Sequence, residues 1–377
     1  MSEDFFPIKK FDHVELYVGN AKQAAHFYQT AFGFTPTAYR GLHTGSREVT
    51  SYVLEQHLIR LVISTALTPD HPISRSVHLH GDTAAVMAME VPDVTYAYQT
   101  ATKRGATGAI PPTQEEDEHG VYRYAVIKCY GDVLIKYIDR SEYHGAFAPG
   151  FAARNGHLNG AIKDEREQGH GRYQGFGLKH IDHIVGNVEL GAMNRWVDFF
   201  AQTMGFTQII HFDDNDIATE YSALMSKVMQ GGDGKIKFPI NEPAEGKKKS
   251  QIQEYLDYHY GPGVQHLALS TGNIIETVKK LQESGVEFLY VPTTYYDDLE
   301  ARVGKINEPI EELAKLGILV DRDDDGYLLQ IFTKPLVDRP TLFFEIIERH
   351  GARGFGQGNF KALFESIERE QALRGNL

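Results

Sequence analysis

Phe11-Asp12-His13-Val14, with Ala31-Phe32-Gly33-Phe34-Thr35 behind it, returns later in the chain as Ile181-Asp182-His183-Ile184, with Thr203-Met204-Gly205-Phe206-Thr207 behind it. A repeat of this kind decides the architecture before any local reading does, because a missed duplication misassigns every element. Inside the second copy, Met193, Trp196, Val197, Phe200, Ala201 and Met204 recur at three- and four-residue steps. That is the spacing of an amphipathic helix, here ending at Gly205. Each copy therefore opens with a strand that leads into a helix.

Two further matches extend the duplication. Met87-Ala88-Met89 and the helical series Val94, Ala97, Tyr98, Ala101, closed by Gly105, lie over Leu267-Ala268-Leu269 and Ile274, Val278, Leu281, closed by Gly285. Val133-Leu134-Ile135-Lys136-Tyr137-Ile138-Asp139-Arg140 lies over Leu342-Phe343-Phe344-Glu345-Ile346-Ile347-Glu348-Arg349. Four strand-helix units in two pairs, with short helices and antiparallel runs, predict an α+β fold of two tandem domains whose sheets curl around a cleft. The stretch from Ala148 to Gly177, rich in Gly, Asn and charge, reads as a connection. It divides the chain into a first domain over 1–150, a linker over 151–177 and a second domain over 178–377. The second copy is longer between its last two anchors, where Glu300 to Leu316 and Thr333-Lys334-Pro335 are extra.

Laying one copy over the other exposes an asymmetry. At three corresponding positions the first copy has His13, Val86 and Lys136, and the second has His183, His266 and Glu345. Two imidazoles and a carboxylate on three separate strands form the facial triad that suits non-haem iron(II) oxygenases. Valine offers no donor atom and an ammonium repels a cation, so the first copy cannot build such a site. Strand alternation puts Val264, His266 and Ala268 on one face, and Phe343, Glu345 and Ile347 on one face. A carboxylate among Leu342, Phe343, Phe344, Ile346 and Ile347 is costly to bury unless a cation compensates it.

Blander readings compete at each position. One of 17 histidines taken alone is a poor metal candidate, and Glu345 could simply pair with Arg349, although Glu348 reads as the ordinary exposed partner. His78-Leu79-His80 places two imidazoles on one strand face but has no third ligand, so it reads as a solvated strand or loop, as do His157 and His170 in the connection. The run from Gly351 to Gly358 lacks the βαβ setting of a nucleotide loop. Lys247-Lys248-Lys249 reads as a solvated loop.

The bulk properties narrow the partner. Acidic residues outnumber basic ones by 51 to 38, and the net charge of −13 repels nucleic acid and anionic membranes. A small-molecule partner is expected. Cys129 is the one cysteine, set in the strand-like run Val126 to Tyr130, and is expected to be a core thiol in a reducing compartment. Neither a secretory leader nor a membrane-spanning run is visible, so a cytoplasmic location is expected.

Three long segments carry a family resemblance: RNGHLNGAIKDEREQGHGRYQGFGLKHIDHIVGNV from Arg154, FPINEPAEGKKKSQIQEYLDYHYGPGVQHLAL from Phe238, and GYLLQIFTKPLVDRPTLFFEIIERHGARGFGQGNF from Gly326. They closely resemble 4-hydroxyphenylpyruvate dioxygenases, densely from Arg154 to the carboxyl end and more loosely before it. The resemblance implies a vicinal-oxygen-chelate (glyoxalase-like) fold with paired βαβββ modules in each domain, and one iron(II) per chain on His183, His266 and Glu345. It implies a substrate pocket of Ser226, Asn241, Gln251, Gln265, Gln330, Phe332, Phe343, Phe355, Asn359 and Phe360. Within it, Ser226, Asn241, Gln251, Gln265 and Gln330 would form the catalytic hydroxyl and amide network. The implied reaction joins 4-hydroxyphenylpyruvate and dioxygen to give homogentisate and carbon dioxide in tyrosine catabolism, in a homo-oligomer (dimer or tetramer).

The residues themselves agree in part. Alternation sets Gln330 and Phe332 on one strand face, an amide beside an aromatic wall. Plain core packing is the competing account of Phe332, Phe343 and Phe360. Asn359 followed by Phe360, Leu363, Phe364 and Ile367 reads as a capped amphipathic helix over 359–373, a candidate lid that keeps water from the metal. The nearest alternative activity is that of 4-hydroxymandelate synthase, which oxidises the same substrate at the benzylic carbon. A glyoxalase-type isomerase and a non-catalytic binding module are the more distant alternatives.

Overall fold

The computed structural model describes residues 5–154, 175–212, 223–244 and 248–376. The first half contains β1 (Lys10–Tyr17), α1 (Ala21–Phe32), β2 (Thr35–Arg40), β3 (Val49–Gln56), β4 (Ile59–Ala66) and α2 (Pro72–His80). It continues with β5 (Thr83–Glu90), α3 (Val94–Lys103), β6 (Gly108–Asp117), β7 (Gly120–Lys128), β8 (Leu134–Asp139) and β9 (Ala152–Ala153). The second half contains β10 (Leu178–Asn187), α4 (Met193–Met204), β11 (Thr207–Phe212), β12 (Ala223–Gly231), β13 (Ile236–Ala244), α5 (Gln251–His259), β14 (Gly263–Thr271) and α6 (Ile274–Glu283). After α7 (Leu299–Val303) and α8 (Ile310–Leu316), it ends with β15 (Leu319–Asp323), β16 (Gly326–Phe332), β17 (Phe343–His350) and α9 (Phe360–Leu373).

Each half is one curled sheet, and the two sheets order their strands alike: β6-β7-β8-β5-β1-β4-β3-β2-β9 and β15-β16-β17-β14-β10-β13-β12-β11. Two βαβββ modules stand back to back in each. Their opening strands pair antiparallel at the centre, β1 with β5 and β10 with β14. On its other side each opening strand pairs in parallel with the last strand of its own module. The sequence matches persist as register: His13 faces Ala88 and Ala88 faces Lys136, while His183 faces Ala268 and Ala268 faces Glu345. Helices α1 and α4 both stop on glycines in the left-handed region, Gly33 at φ 74 and Gly205 at φ 71, where a side chain would be strained.

The halves share their main core, beside smaller clusters of their own. One apolar cluster runs through both, and in it Tyr28 and Phe32 of α1 set their rings 5.7 and 5.2 Å from that of Phe344 on β17. Phe11 meets Phe238 edge-on at 5.7 Å. Cys129 is buried there, which pushes its thiol up and makes it the expected core residue.

Several local expectations need correction. His78-Leu79-His80 is the end of helix α2, neither strand nor loop, and His80 is buried. The stretch read as a connection from residue 151 begins with a strand, since Ala152–Ala153 pairs with β2. His157, His170 and Lys247 lie outside the described residues. Lys249 is half-exposed and bonds to Asp257 at 2.7 Å. Among the described residues no helix is long and apolar enough to cross a membrane.

Candidate metal centre

The three strands that carry the expected ligands are neighbours, in the order β10-β14-β17. Residues directly opposite on paired strands share a face, so His183, Ala268 and Glu345 form one row across the sheet, and His266 lies two residues from Ala268 on the same face. The donor atoms converge. A Glu345 carboxylate oxygen lies 3.2 Å from His183 Nε2 and 3.4 Å from His266 Nε2, and all three side chains are buried. Between His183 and Glu345 the row holds only the methyl of Ala268. Ala268→Leu is expected to fill that space, so metal stoichiometry should collapse while the circular dichroism spectrum persists. Normal metal loading in this variant would contradict the row geometry.

Each imidazole is aimed by a partner on its other nitrogen, an arrangement that fixes the tautomer and orientation of metal-binding histidines. His183 Nδ1 donates to Asp182 Oδ1 at 2.8 Å, and His266 Nδ1 donates to Gln265 Oε1 at 2.9 Å. Asp182 is itself gripped by Arg349 through two contacts of 2.8 Å. The pairing of Arg349 with Asp182 removes it as the partner of Glu345. Glu348 is not an exposed partner either: it is buried and accepts from the Ile274 backbone N–H at the start of α6 at 2.7 Å.

Electrostatics favour a cation at this spot. Burial would raise the Glu345 carboxyl, yet the facing imidazoles of His183 and His266 hold it down at about 2. Burial would lower His183, but Glu345 and Asp182 raise it above the ordinary imidazole range. His266, with one carboxylate near it and an amide behind, is lowered by burial. A buried carboxylate held ionised beside two imidazole nitrogens, with Arg349 committed elsewhere, is a donor set matched to a metal ion. A second group, Glu308, Glu348 and His350, also brings three donors together. There Glu348 already caps α6 and Glu308 accepts from Tyr327 at 3.0 Å, so its oxygens have protein partners.

The first half keeps the scaffold and lacks two of the three donors, with Val86 and Lys136 where the second half has His266 and Glu345. His13 Nδ1 sits 2.6 Å from Asp12, and Arg140 grips Asp12 at 2.7 and 2.9 Å, reproducing Asp182, His183 and Arg349. The space over His13 is filled. Phe147 meets its ring edge-on at 5.2 Å, and the Lys136 ammonium lies 4.5 Å from the Tyr124 ring centre.

A cavity opens on the three donors of the second half. Of the expected pocket residues, Ser226, Asn241, Gln251, Gln265, Phe332, Phe343, Phe355 and Phe360 line it. Phe343 stacks on the His266 ring at 4.7 Å, and Phe355 meets His183 edge-on at 5.0 Å. Gln330 and Asn359 are not on the wall. Gln330 shares the inner face with Phe332, but the chain after β17 folds over it, and a Cβ on Gly356 would collide with its side-chain amide. Asn359 is buried and its carbonyl accepts from the Tyr295 hydroxyl at 2.5 Å; it makes no capping bond to α9. Gln330 Oε1 and Asn359 Nδ2 are buried with no hydrogen-bond partner among the described residues.

Sequence reasoning missed Val185, Val228 and Pro239, which with the expected lid residues Leu363, Phe364 and Ile367 make up the apolar wall. Alternation was the available signal for the missed three. Val185 lies two residues from His183, Val228 two from Ser226, and Pro239 two from Asn241, each on its neighbour's strand face.

Comparison with known proteins places this geometry. The model of the Glyoxalase/Bleomycin resistance protein/Dioxygenase superfamily matches residues 10–133 and 180–331, one stretch in each half. The 4-hydroxyphenylpyruvate dioxygenase of Yarrowia lipolytica is 47% identical over 97% of this chain and 93% of its own length. That of Danio rerio is 45% identical, over 97% of this chain and 92% of its own. Among solved structures, a triply substituted 4-hydroxymandelate synthase from Streptomyces coelicolor superposes with a TM-score of 0.84 at 33% identity, covering 97% of this chain and 99% of that one. Similarity of this extent, together with the duplicated βαβββ sheets, identifies the chain as a member of the 4-hydroxyphenylpyruvate dioxygenase family.

Proposed function

We propose that the chain catalyses the reaction of 4-hydroxyphenylpyruvate with dioxygen to homogentisate and carbon dioxide, using one iron(II) held by His183, His266 and Glu345. The observation that carries this reading is the buried three-donor set opening onto a cavity with aromatic walls and a few polar groups. Bound iron would supply the activation of dioxygen that amino-acid side chains lack.

The chain's own residues bind, orient and exclude water. Phe332 stands opposite Glu345 and Phe343 opposite His266, so two rings flank the ligands and would confine the phenol ring of the substrate. Ser226 and Asn241 face each other across β12 and β13, and with Gln251 and Gln265 they are the polar groups available to orient the substrate's hydroxyl and oxo-acid ends. The Gln265 carbonyl is committed to His266, which leaves its amide nitrogen for the cavity. In α9, Phe360, Leu363, Phe364 and Ile367 roof the site. Deleting the chain from Asn359 onward is expected to lower kcat/KM and to let oxygen consumption exceed product formation, since water then reaches the metal. Unchanged turnover and product yield in the folded truncation would rule out a covering role.

The reading also takes residues 1–150 as a metal-free domain, 151–177 as a linker and 178–377 as the catalytic domain, in a cytoplasmic homo-oligomer serving tyrosine breakdown. The likeness to a 4-hydroxymandelate synthase structure supplies the competing product. Anaerobic loading with iron(II), followed by substrate and oxygen and identification of the product by mass and chromatography, separates them. Homogentisate supports the proposal, and 4-hydroxymandelate overturns it.

A further inference from the structure

The metal-free half touches the catalytic half where the carboxyl ends of α2 and α5 meet. There His80 closes α2 and His259 closes α5, and their rings stack with centres 4.3 Å apart at 19°. His259 in turn stacks on Tyr255, one turn back in α5, at 5.0 Å and 19°. His80 Nδ1 donates to the His259 carbonyl oxygen at 2.6 Å, and its Nε2 faces Asp132 at 3.0 Å. A carbonyl at a helix end has no partner within its own helix, so α5 is completed by a side chain from the other half.

Two further bonds close the joint. Arg339, from the segment between β16 and β17, donates to Leu79 O of α2 at 2.6 Å and to Tyr258 O of α5 at 3.0 Å. One cation thus serves the carboxyl ends of both helices, where the helix dipole favours positive charge. His259 uses both ring nitrogens, donating from Nδ1 to Gly261 O at 3.0 Å and accepting at Nε2 from the Thr83 hydroxyl of the first half at 2.9 Å. Burial and the neighbouring His80 push His259 down to about 3, which keeps it neutral and able to accept that bond. His80 and His259 are 4% and 2% exposed.

Helix α5 leads from this joint to the site. Its first residue, Gln251, lines the cavity, and Ile252, Tyr255 and Leu256 pack with Phe364 of the roof. On the same helix Glu254, buried, bonds to Arg374 at 2.7 and 3.2 Å and to Asn376 at 2.8 Å, tying down the end of α9. None of the three metal ligands is on α5.

We propose that His80, with Arg339, is a positioning residue for substrate binding: the metal-free half aligns α5, and through it Gln251 and the roof, without touching the metal. The inference rests on the function proposed above. His80 acts on binding, so its loss changes KM while the ligand set and the chemical step persist.

The test uses iron-loaded full-length enzyme and compares His80→Ala, His80→Phe and His80→Asn. Alanine and phenylalanine lack the donor to His259 O, and KM for 4-hydroxyphenylpyruvate is expected to rise about tenfold, as for loss of one buried hydrogen bond. Iron content and kcat should stay near wild type. Asparagine offers an amide N–H in place of Nδ1 and is expected to restore most of the KM. An unchanged KM with only a lower melting temperature would overturn the proposal, as would iron content and kcat falling together. If His80→Ala does not fold, Arg339→Lys tests the same joint: a raised KM at full iron content supports the inference and an unchanged KM overturns it. An inert wild type sinks the functional reading and this inference with it, whereas an active wild type with insensitive variants sinks the inference alone.

Discussion

Glu345→Gln is expected to abolish both iron binding and turnover while the protein stays folded. The substitution keeps the side chain's size and removes its charge. Glu345 supplies the only carboxylate among the three donors, and a neutral amide cannot offset a divalent cation that burial has stripped of water. His183→Ala should behave alike, because it removes one of the three proposed ligands, whose ring Asp182 holds at 2.8 Å and Arg349 holds in turn through Asp182. The same truncations in the first half give the control: His13→Ala and Lys136→Ala should retain full iron content. Metal content by atomic absorption and circular dichroism on the same samples check this, and iron lost from the first-half variants would assign the site to the other sheet.

The second large effect comes from the aspartates behind the histidines. Asp182→Asn leaves Arg349 uncompensated in a buried setting, and Asp12→Asn does the same to Arg140, while Arg60 keeps its 2.7 Å pair with Glu55. Each should lower unfolding free energy by about 3 kcal/mol, the scale of breaking a buried ion pair. Only Asp182→Asn should also weaken metal binding, by roughly 10–100-fold, the usual cost of losing the group that orients a ligand histidine. The paired substitution therefore separates a structural role, shared by both halves, from a metal-orienting one confined to the second.

The pH dependence follows from the same groups. Burial raises each carboxyl, but the guanidiniums and the adjacent histidine more than offset it and hold Asp12 and Asp182 well below the usual carboxylate value. A carboxylate depressed in the folded state adds stability above its unfolded pKa, about 4, and that contribution is lost as pH falls through the folded value. Wild-type urea midpoints should therefore drop below about pH 4, and the drop should be shallower in both asparagine variants. A midpoint as acid-sensitive in the variants as in wild type would contradict this assignment.

Much of the site was legible because the duplication turned residue identity into register. Aligning His13, Val86 and Lys136 with His183, His266 and Glu345 required no coordinates, and the strand pairing reproduces it with Ala88 and Ala268 at the same crossing. What escaped depends on contacts between distant segments. Glu348 reads as exposed until the start of α6 lands on it, and His80 reads as solvated until α5 packs against α2. Gln330 lies on the correct strand face, but alternation carries no information about the later chain near Gly356 that covers it. Asn359 has the residue type of a helix cap, yet the Tyr295 hydroxyl competes successfully for its side chain. Periodicity reports faces well; it does not report what lies across them.

The claim that a metal belongs to the second half alone is tested most directly by an anomalous difference map at the iron edge from a crystal of the iron-loaded protein. One peak per chain is expected among His183 Nε2, His266 Nε2 and the Glu345 carboxylate. A peak beside His13, or one at Glu308, Glu348 and His350 with the first position vacant, would contradict it.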